Sequence, residues 1–328
     1  MPERESEAAR HTRLVGGAYA ATAFTAWGLL PVYFHAMSWV PPTQMLAHRF
    51  VWAVILLAGL VTIIGRWGAV RAALREPRTR WLLLGSTAFI SINWLTFIWA
   101  VGAERVTEVS LGYYINPLVN VLLGVAVLGE RLSRAQGAAV ALAALGVGLL
   151  AVQTAGLPWP SLAVAFSFGF YGLIRKTTSL GSIEGLFLET ALAAPLALAY
   201  LLYLAAQGTG VFGVHGAGAD LALAATGVLT ALPLIWFASG ARRITYTAVG
   251  FFQYIAPTGH FLLAVFVFGE PFGWVHLTTF ACIWTALAIF SADRWHHARA
   301  RGDAPVTNRP RRSAGRWWRP ASQRAPRR

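Results

Sequence analysis

The chain has 328 residues, of which 56% are hydrophobic and only 12% are charged. A soluble protein carries about 25% charged residues, so the composition argues against a soluble enzyme or binding module. The single cysteine, Cys282, excludes a disulfide framework and a cysteine-based metal site. The net charge of +14 does not indicate a nucleic-acid partner, because most of the excess lies from Arg294 onward. These features indicate an integral membrane protein with a basic tail.

The apolar residues occur in runs of about twenty, the length that crosses the hydrocarbon core of a bilayer. The polar segment that precedes the first run, residues 1–13, is predicted to be a disordered cytoplasmic N-terminus. The sequence therefore predicts an all-α polytopic membrane protein with ten transmembrane helices. They are placed at 15–35, 43–65, 81–101, 107–128, 135–152, 160–175, 185–206, 219–239, 245–268 and 273–292.

Basic residues distinguish the even-numbered connections between these helices from the odd-numbered ones. The odd-numbered connections hold almost none, and the exception, Arg105, is flanked by Glu104 and Glu108. Lysine and arginine mark the cytoplasmic side, so every even connection and both termini are predicted to be cytoplasmic, in a multi-pass protein of the cell membrane. The basic residues concerned are Arg66, Arg71, Arg75, Arg78, Arg80, Arg131, Arg134, Arg175, Lys176, Arg242 and Arg243.

Two stretches of the chain, residues 109–130 and 248–270, have similar sequences. The first reads VSLGYYINPLVNVLLGVAVLGE and the second AVGFFQYIAPTGHFLLAVFVFGE. Each has a tyrosine three residues before a proline and a glutamate thirteen residues after that proline. The matching pairs are Tyr114 and Tyr254, Pro117 and Pro257, and Glu130 and Glu270. A unit that occurs twice indicates an internal duplication.

The duplication predicts two inverted halves. The matching stretches lie in the fourth and ninth helices, and an odd number of helices separates them, so they cross the membrane in opposite directions. The predicted first five-helix repeat covers 14–152, the second covers 153–293, and 294–328 form a basic, disordered cytoplasmic tail. Inverted repeats with interrupted helices are the architecture of secondary transporters, which alternate between two oppositely facing states.

Several polar side chains lie at similar depth in the third, fourth and ninth helices. Polar groups are costly in hydrocarbon, so each should face a cavity or a partner. A proline within a helix also frees a backbone carbonyl one turn earlier. The alternative is that the amides join helices and the prolines only kink them. The predicted substrate-binding residues are Trp27, Asn93, Trp94, Tyr113, Tyr114, Asn116, Asn120, Gln253, Tyr254 and His260, and the predicted gating kinks are Pro117 and Pro257.

Three further residues are candidates for charge recognition or coupling. Arg49, beside His48, lies about two turns into the second helix. It is either an anion-recognising or gating charge, or a snorkelling arginine at the outer interface. Glu189 lies inside the apolar run GLFLETALAAP and either carries a coupling proton or pairs with a basic residue such as Arg175.

Three further expectations concern the fifth helix, the basic tail and the aromatic residues. The fifth helix is dense in small residues, which suits close helix packing or a homodimer. The basic tail is expected to be free or to contact the anionic leaflet rather than RNA, so the partners are the lipid bilayer and a small-molecule substrate, with no nucleic acid. Six aromatic residues are candidates for a cavity lining or for interfacial anchors: Trp27, Tyr33, Trp94, Tyr113, Tyr171 and Trp236.

The chain resembles the RarD branch, the chloramphenicol-sensitive permease type, of the EamA transporters in the drug/metabolite transporter superfamily. The resemblance covers about 14–293 and rests on motifs such as AYAATAFTAWGLLPVYFHAM, LAHRFVWAV, SINWLTFIWAV, EVSLGYYINPLVNVLLGVAVLGERLSRAQ and FFQYIAPTGHFLLAVFVFGEPF. It implies a ten-helix inverted-repeat fold and small-molecule transport, often export, without a defined substrate. It carries over the motif residues Trp27, His48, Arg49, Asn93, Trp94, Tyr114, Asn116, Pro117, Glu189, Gln253, Tyr254 and Pro257.

The sequence thus predicts a secondary transporter for a small organic metabolite or drug, working by alternating access and in the direction of export. Asn93, Asn116, Gln253 and Tyr254 are expected to hydrogen-bond the cargo, and the fifth and tenth helices to pack behind the site. The alternatives are a lipid-modifying enzyme, a scaffold or a passive channel. No signature of an enzyme, a cofactor site or a metal site is found in the sequence.

Overall fold

The computed structural model describes residues 2–103, 105–153, 159–267 and 273–302. Within these ranges the chain forms twelve α-helices and no strand. The helices are α1 (Pro2–Ala36), α2 (Pro42–Ile63), α3 (Trp67–Arg75), α4 (Pro77–Gly102), α5 (Val106–Ala126), α6 (Arg134–Gln153), α7 (Trp159–Thr177), α8 (Ser182–Ala206), α9 (Ala217–Ala241), α10 (Tyr246–Gln253), α11 (Ile255–Phe266) and α12 (Trp274–Gly302).

Five of the described helices contain stretches long and apolar enough to cross a membrane, which is the architecture of a polytopic membrane protein. Each predicted segment overlaps a helix, but ten crossings and the inverted arrangement of two repeats stay predictions. The five stretches are Pro42–Ile63, Val109–Ala126, Arg134–Val152, Ser182–Ala206 and Ala217–Ala241.

At both chain ends the helices extend into segments that the sequence predicted to be disordered, and the predicted domain boundaries stay predictions. The predicted disordered segment, residues 1–13, is helical from Pro2 and continuous with α1. It contains Glu, Ala and Arg, which are strong helix formers, so it prolongs the helix that follows. The predicted tail begins at Arg294, yet α12 continues to Gly302. Residues 303–328, like Glu270 of the duplicated motif, lie outside the described residues.

Helix α3 lies where the sequence predicted only a connection. Val70 and Ala73, three residues apart, are buried, whereas Arg71 and Arg75 are exposed. Because residues three apart share one face of a helix, α3 has an apolar face toward the bundle and a basic face away from it. The basic residues of this segment indicate membrane topology, and for that reason the sequence predicted a connection rather than an amphipathic helix.

The two duplicated prolines have different effects on their helices. The ninth predicted helix is divided into α10 and α11 at Tyr254, three residues before Pro257. Proline cannot donate to the carbonyl four residues earlier and its ring crowds that carbonyl, which explains the interruption. Helix α5, by contrast, continues through Pro117 from Val106 to Ala126.

The helices pack in a bundle with two chemically different ends. Helix α5 packs on α7 and α10, α1 on α9 and α11, α2 on α8 and α9, and α6 on α12. We call the end formed by the connections 64–66, 127–133, 178–181 and 242–245 the arginine-rich end. We call the end formed by the connections 37–41 and 207–216 the opposite end.

Candidate functional site

A cavity of about 920 Å³ lies at the arginine-rich end. Its walls come from α1, α3, α8 and α9 and from the connections beside them. Sites for small organic molecules are typically about 300–1,000 Å³, so this cavity is large enough for a small organic molecule. Its lining includes Tyr19, Arg66, Glu184, Trp236, Arg242 and Arg243.

The cavity has a positively charged wall. Arg66 Nε lies 3.7 Å from Glu184 Oε1, and the Arg66 side chain is 62% exposed, so this ion pair contributes little to stability. Arg242 donates to the carbonyl of Leu180. Burial lowers the pKa of Arg242, and neighbouring guanidinium groups, including that of Arg243, lower it further. Several positive charges therefore lie close together at this end of the bundle.

The opposite end is closed because the connection 207–216 contacts both the start of α2 and the connection 37–41. Gln44 at the start of α2 donates from Nε2 to the carbonyl of Thr209 at 3.0 Å, and its Oε1 accepts from the N–H of Val211 at 3.0 Å. The rings of Trp39 and His215 are 4.6 Å apart. His48, a predicted coupling residue, is buried here, and its ring lies 5.6 Å from that of Phe212.

The predicted amides of α5 and α10 bind each other. Asn116 donates from Nδ2 to the carbonyl of Ala165 in α7 at 2.5 Å, and its Oδ1 accepts from Gln253 Nε2. Gln253 Oε1 in turn accepts from Asn120 Nδ2 at 2.5 Å. All three amides are buried. In this conformation they join α5, α7 and α10, as the alternative interpretation of the sequence expected.

Asn93, Tyr114 and Tyr254 also make contacts within the bundle. Asn93 Nδ2 donates to the carbonyl of Val164 at 2.9 Å and to Ser167 Oγ at 3.2 Å, which holds α4 against α7. The ring of Tyr114 lies 5.9 Å from that of a phenylalanine in α12. Tyr254 is buried at the α10–α11 interruption, and its hydroxyl has no hydrogen-bond partner among the described residues.

Arg49 points into the bundle, where Nε donates to Thr230 Oγ1 in α9 at 2.9 Å. Its guanidinium carbon lies 5.1 Å from the ring centre of Trp94 and 5.6 Å from that of Phe34. Tyr113 of α5 lies near enough to interact electrostatically with the same guanidinium. The structure thus brings together Arg49 of α2, Trp94 of α4 and Tyr113 of α5. A snorkelling arginine would instead extend its guanidinium group toward the membrane interface.

Glu189 pairs with Arg175, the second of its two predicted alternatives. Arg175 Nη1 lies 3.6 Å from Glu189 Oε1, and the two side chains are only 1% and 3% exposed. The same oxygen accepts from Ser86 Oγ at 2.6 Å, and the Tyr171 hydroxyl donates to Oε2 at 3.3 Å. This carboxylate is therefore part of a buried, well-satisfied network between α4, α7 and α8.

Trp27 and His260 meet between α1 and α11. His260 Nε2 is 3.0 Å from the carbonyl oxygen of Trp27. The indole ring of Trp27 lies 5.8 Å from the rings of both Phe168 and Phe237, which places aromatic side chains across the centre of the bundle. Both predicted residues are half-buried.

The cavity and the predicted substrate-binding residues do not coincide. Of the residues named as binding candidates, none lines the cavity in the part of the chain that the structure describes. Trp236, a candidate for the aromatic lining, does line it. Sequence reasoning missed Arg66, Arg242 and Arg243 as site residues because it interpreted them as topology markers only. The convergence of the two arginine-bearing connections 64–66 and 242–245 on one cavity is a feature of the tertiary structure.

Comparisons with known proteins agree with the resemblance seen in the sequence. A sequence model of the EamA-like transporter family matches residues 14–152. An uncharacterized transporter of Vibrio cholerae is 47% identical over 274 residues, which cover 84% of this chain and 91% of that protein. Protein RarD of Streptomyces exfoliatus is 42% identical over 291 residues, which cover 89% and 92%. This chain belongs to the RarD branch of the EamA family.

The fold of this RarD-branch chain also has a counterpart among solved structures. A crystal structure of a protein with 23% sequence identity aligns with a TM-score of 0.63 and covers 85% of this chain and 96% of the other. At this identity the likeness concerns the fold alone. The helix arrangement that positions the cavity and the Arg49 surroundings is therefore one that another chain also adopts.

Proposed function

We propose that this chain is a secondary transporter that exports a small organic metabolite or drug from the cell by alternating access. The observation that carries the proposal is the difference between the two ends of the bundle. The arginine-rich end contains a cavity of about 920 Å³, whereas the opposite end is closed by the contacts of Gln44 with Thr209 and Val211. Alternating access requires a protein that is open at one end while closed at the other.

Two features support a pair of inverted repeats as the basis of this motion. The helices that would correspond in the two halves pack on each other: α2 on α8, α5 on α10 and α6 on α12. The family match over residues 14–152 has the same bounds as the predicted first repeat. An exchange of contacts between two such halves would produce the second, oppositely facing state.

The orientation of the cavity in our proposal follows from the basic residues. In our proposal the arginine-rich end and both termini face the cytoplasm, because lysine and arginine are retained on that side. The present conformation then offers its cavity to cytoplasmic solutes, which is the loading state of an exporter. Among the residues predicted for binding or for charge recognition, we propose that half-buried ones meet the cargo and that the buried amides hold the helices. The half-buried residues are Trp27, Arg49, Trp94, Tyr113, Tyr114 and His260.

Flux through proteoliposomes that contain only this protein tests the proposal. We expect saturable uptake of a labelled solute from a panel of amphenicols, amino acids and organic acids, with counterflow when unlabelled solute is present on the other side. Protein-free liposomes are the control. Flux without saturation or counterflow would indicate a channel, and the absence of flux across the panel would contradict transport and favour a scaffold or a lipid-modifying enzyme.

A further inference from the structure

We propose that Arg49 is the anion-binding residue of the transport site and that the cargo carries a carboxylate on an apolar, ring-sized body. This inference rests on the proposed transport function and names its substrate class. Its basis is that Arg49 is a guanidinium inside the bundle whose charge no side chain in the described part of the protein neutralises.

The chain itself supplies the comparison, because it contains a second arginine inside the bundle. Arg175 lies 3.6 Å from the Glu189 carboxylate and donates from Nη2 to the carbonyl of Ser182 at 2.9 Å. Arg49 has one hydrogen bond, to the neutral hydroxyl of Thr230, and no carboxylate partner among the described residues. Glu189 neutralises the buried Arg175, whereas the half-buried guanidinium of Arg49 has no counter-charge among the described residues and is open to an external anion.

The hydrogen-bonding pattern of Arg49 leaves the appropriate donors free. Nε is occupied by Thr230 Oγ1 at 2.9 Å, and the two terminal nitrogens make no hydrogen bond to any described residue. A guanidinium presents such a pair of parallel N–H groups to the two oxygens of a carboxylate. Thr230 thus orients the group and leaves its bidentate edge for a ligand.

The surroundings of Arg49 indicate the rest of the cargo. The rings of Trp94 and Phe34 lie 5.1 and 5.6 Å from the guanidinium carbon, and Phe50 lies 4.8 Å from Trp94. Aromatic faces stabilise the cation partly while the site is empty. They also form an apolar, ring-shaped surface next to the anion-binding edge, which suits an aromatic or similarly flat apolar body.

Helix α9 connects the cavity at the arginine-rich end with this site. Thr230 and the cavity-lining Ile235 are five residues apart on that helix, a distance of about 8 Å along its axis. The cavity lining holds Arg66, Arg242 and Arg243 against Glu76 and Glu184, and this excess of positive charge attracts anions. Farther along α9, Arg49 meets no carboxylate of the residues that the structure describes.

Paired probes that differ only in charge test the inference by thermal stability, since a ligand of the folded state raises the melting temperature. The pairs are benzoate with benzamide, and N-acetylphenylalanine with its amide. We expect the carboxylate of at least one pair to bind at least about tenfold more tightly than the amide, the discrimination typical of losing one charged hydrogen-bonded contact. Equal shifts within both pairs, or no shift with either carboxylate, would overturn the proposal.

Variants locate the effect at Arg49. Arg49→Gln should abolish the preference for the carboxylate, and Arg49→Lys should retain part of it. If Arg49→Gln does not fold, Thr230→Val, which removes only the acceptor of Nε, should weaken carboxylate binding several-fold. Arg71→Gln is the matched control, because Arg71 is exposed on α3 outside the cavity lining and its removal should change nothing. A carboxylate preference that survives in Arg49→Gln and Thr230→Val would contradict the assignment.

The same probes in proteoliposomes separate this inference from the proposed transport. Saturable flux of the amides without flux of the carboxylates would leave transport standing and overturn the anion site. Binding of carboxylates that depends on Arg49, without flux of any solute, would support the anion site and overturn transport. Arg49-dependent flux of the carboxylates alone is the result we expect.

Discussion

The Glu130 carboxylate accepts a hydrogen bond from the backbone N–H of Tyr246 at 2.6 Å, across a sequence separation of 116 residues. Its second oxygen accepts from the N–H of Thr247 at 2.8 Å. These are N–H groups at the start of α10 that no helical carbonyl can satisfy, and the positive end of the helix dipole favours a carboxylate there. The Gly-Glu sequence that ends the first duplicated stretch therefore caps a helix formed by the second.

Replacing Glu130 with alanine should lower the free energy of unfolding by about 1–2 kcal/mol, the usual effect of losing a helix cap. Glu130→Gln keeps one acceptor oxygen, so its free energy of unfolding should lie between those of the unsubstituted protein and of the alanine variant. Thermal unfolding of the purified protein in detergent measures the change. Arg131→Gln, an exposed change in the same connection, is the control. A Glu130→Ala protein as stable as this control would show that the two hydrogen bonds contribute nothing.

Gly250→Ala should destabilise the contact between α10 and α5. A Cβ atom at this position would lie 2.6 Å from the carbonyl oxygen of Pro117, so one helix must move away from the other. Overpacking of this kind costs about 1–3 kcal/mol.

Gly148→Ala is the matched control for this substitution. A Cβ atom there meets nothing within 4 Å, so the higher helix propensity of alanine should leave stability unchanged or raise it by up to about 1 kcal/mol. Thermal unfolding compares the two variants, and equal melting temperatures would contradict the close approach of α10 to α5.

The pair of Arg175 and Glu189 should show strong energetic coupling. Either Arg175→Met or Glu189→Met leaves an uncompensated charge inside the bundle, which costs about 3–5 kcal/mol, whereas the double variant should recover much of that loss. A double-mutant cycle measured by thermal unfolding gives the coupling. The pair of Arg66 and Glu184, in which the arginine is exposed, is the comparison, with an expected coupling of at most about 1 kcal/mol. Additive losses at Arg175 and Glu189 would contradict the pairing.

Gln44→Leu should loosen the closed opposite end, because Gln44 makes two hydrogen bonds to the connection at 207–216. A cysteine introduced at the buried Val211, in a Cys282→Ser background, reports the change. We expect a membrane-impermeant maleimide to label it severalfold faster in the Gln44→Leu protein.

Thr43→Val serves as the control for this labelling experiment. Thr43 bonds only the Tyr200 hydroxyl at an exposed position, so the labelling rate should not change. Equal rates in the Gln44→Leu and Thr43→Val proteins would show that Gln44 does not hold the end closed.

Local sequence predicted helices that overlap those of the structure, but for most polar residues it did not predict the partner. Pro117 and Pro257 are matched in the sequence, yet the helix is interrupted at Tyr254 near Pro257 and is continuous through Pro117. The local motif therefore does not distinguish the two helices.

The amino-acid sequence by itself determined that this is a helical membrane protein, where its main helices lie, and which family it belongs to. Those properties depend on runs of apolar residues and on motifs that are local in the chain. Only the tertiary structure decided that Asn116 bonds to Gln253, that Glu189 is neutralised by Arg175, and that Arg49 meets no carboxylate of the described residues. The physical reason is that the partner of a polar group inside a helix bundle is chosen by which helices pack together.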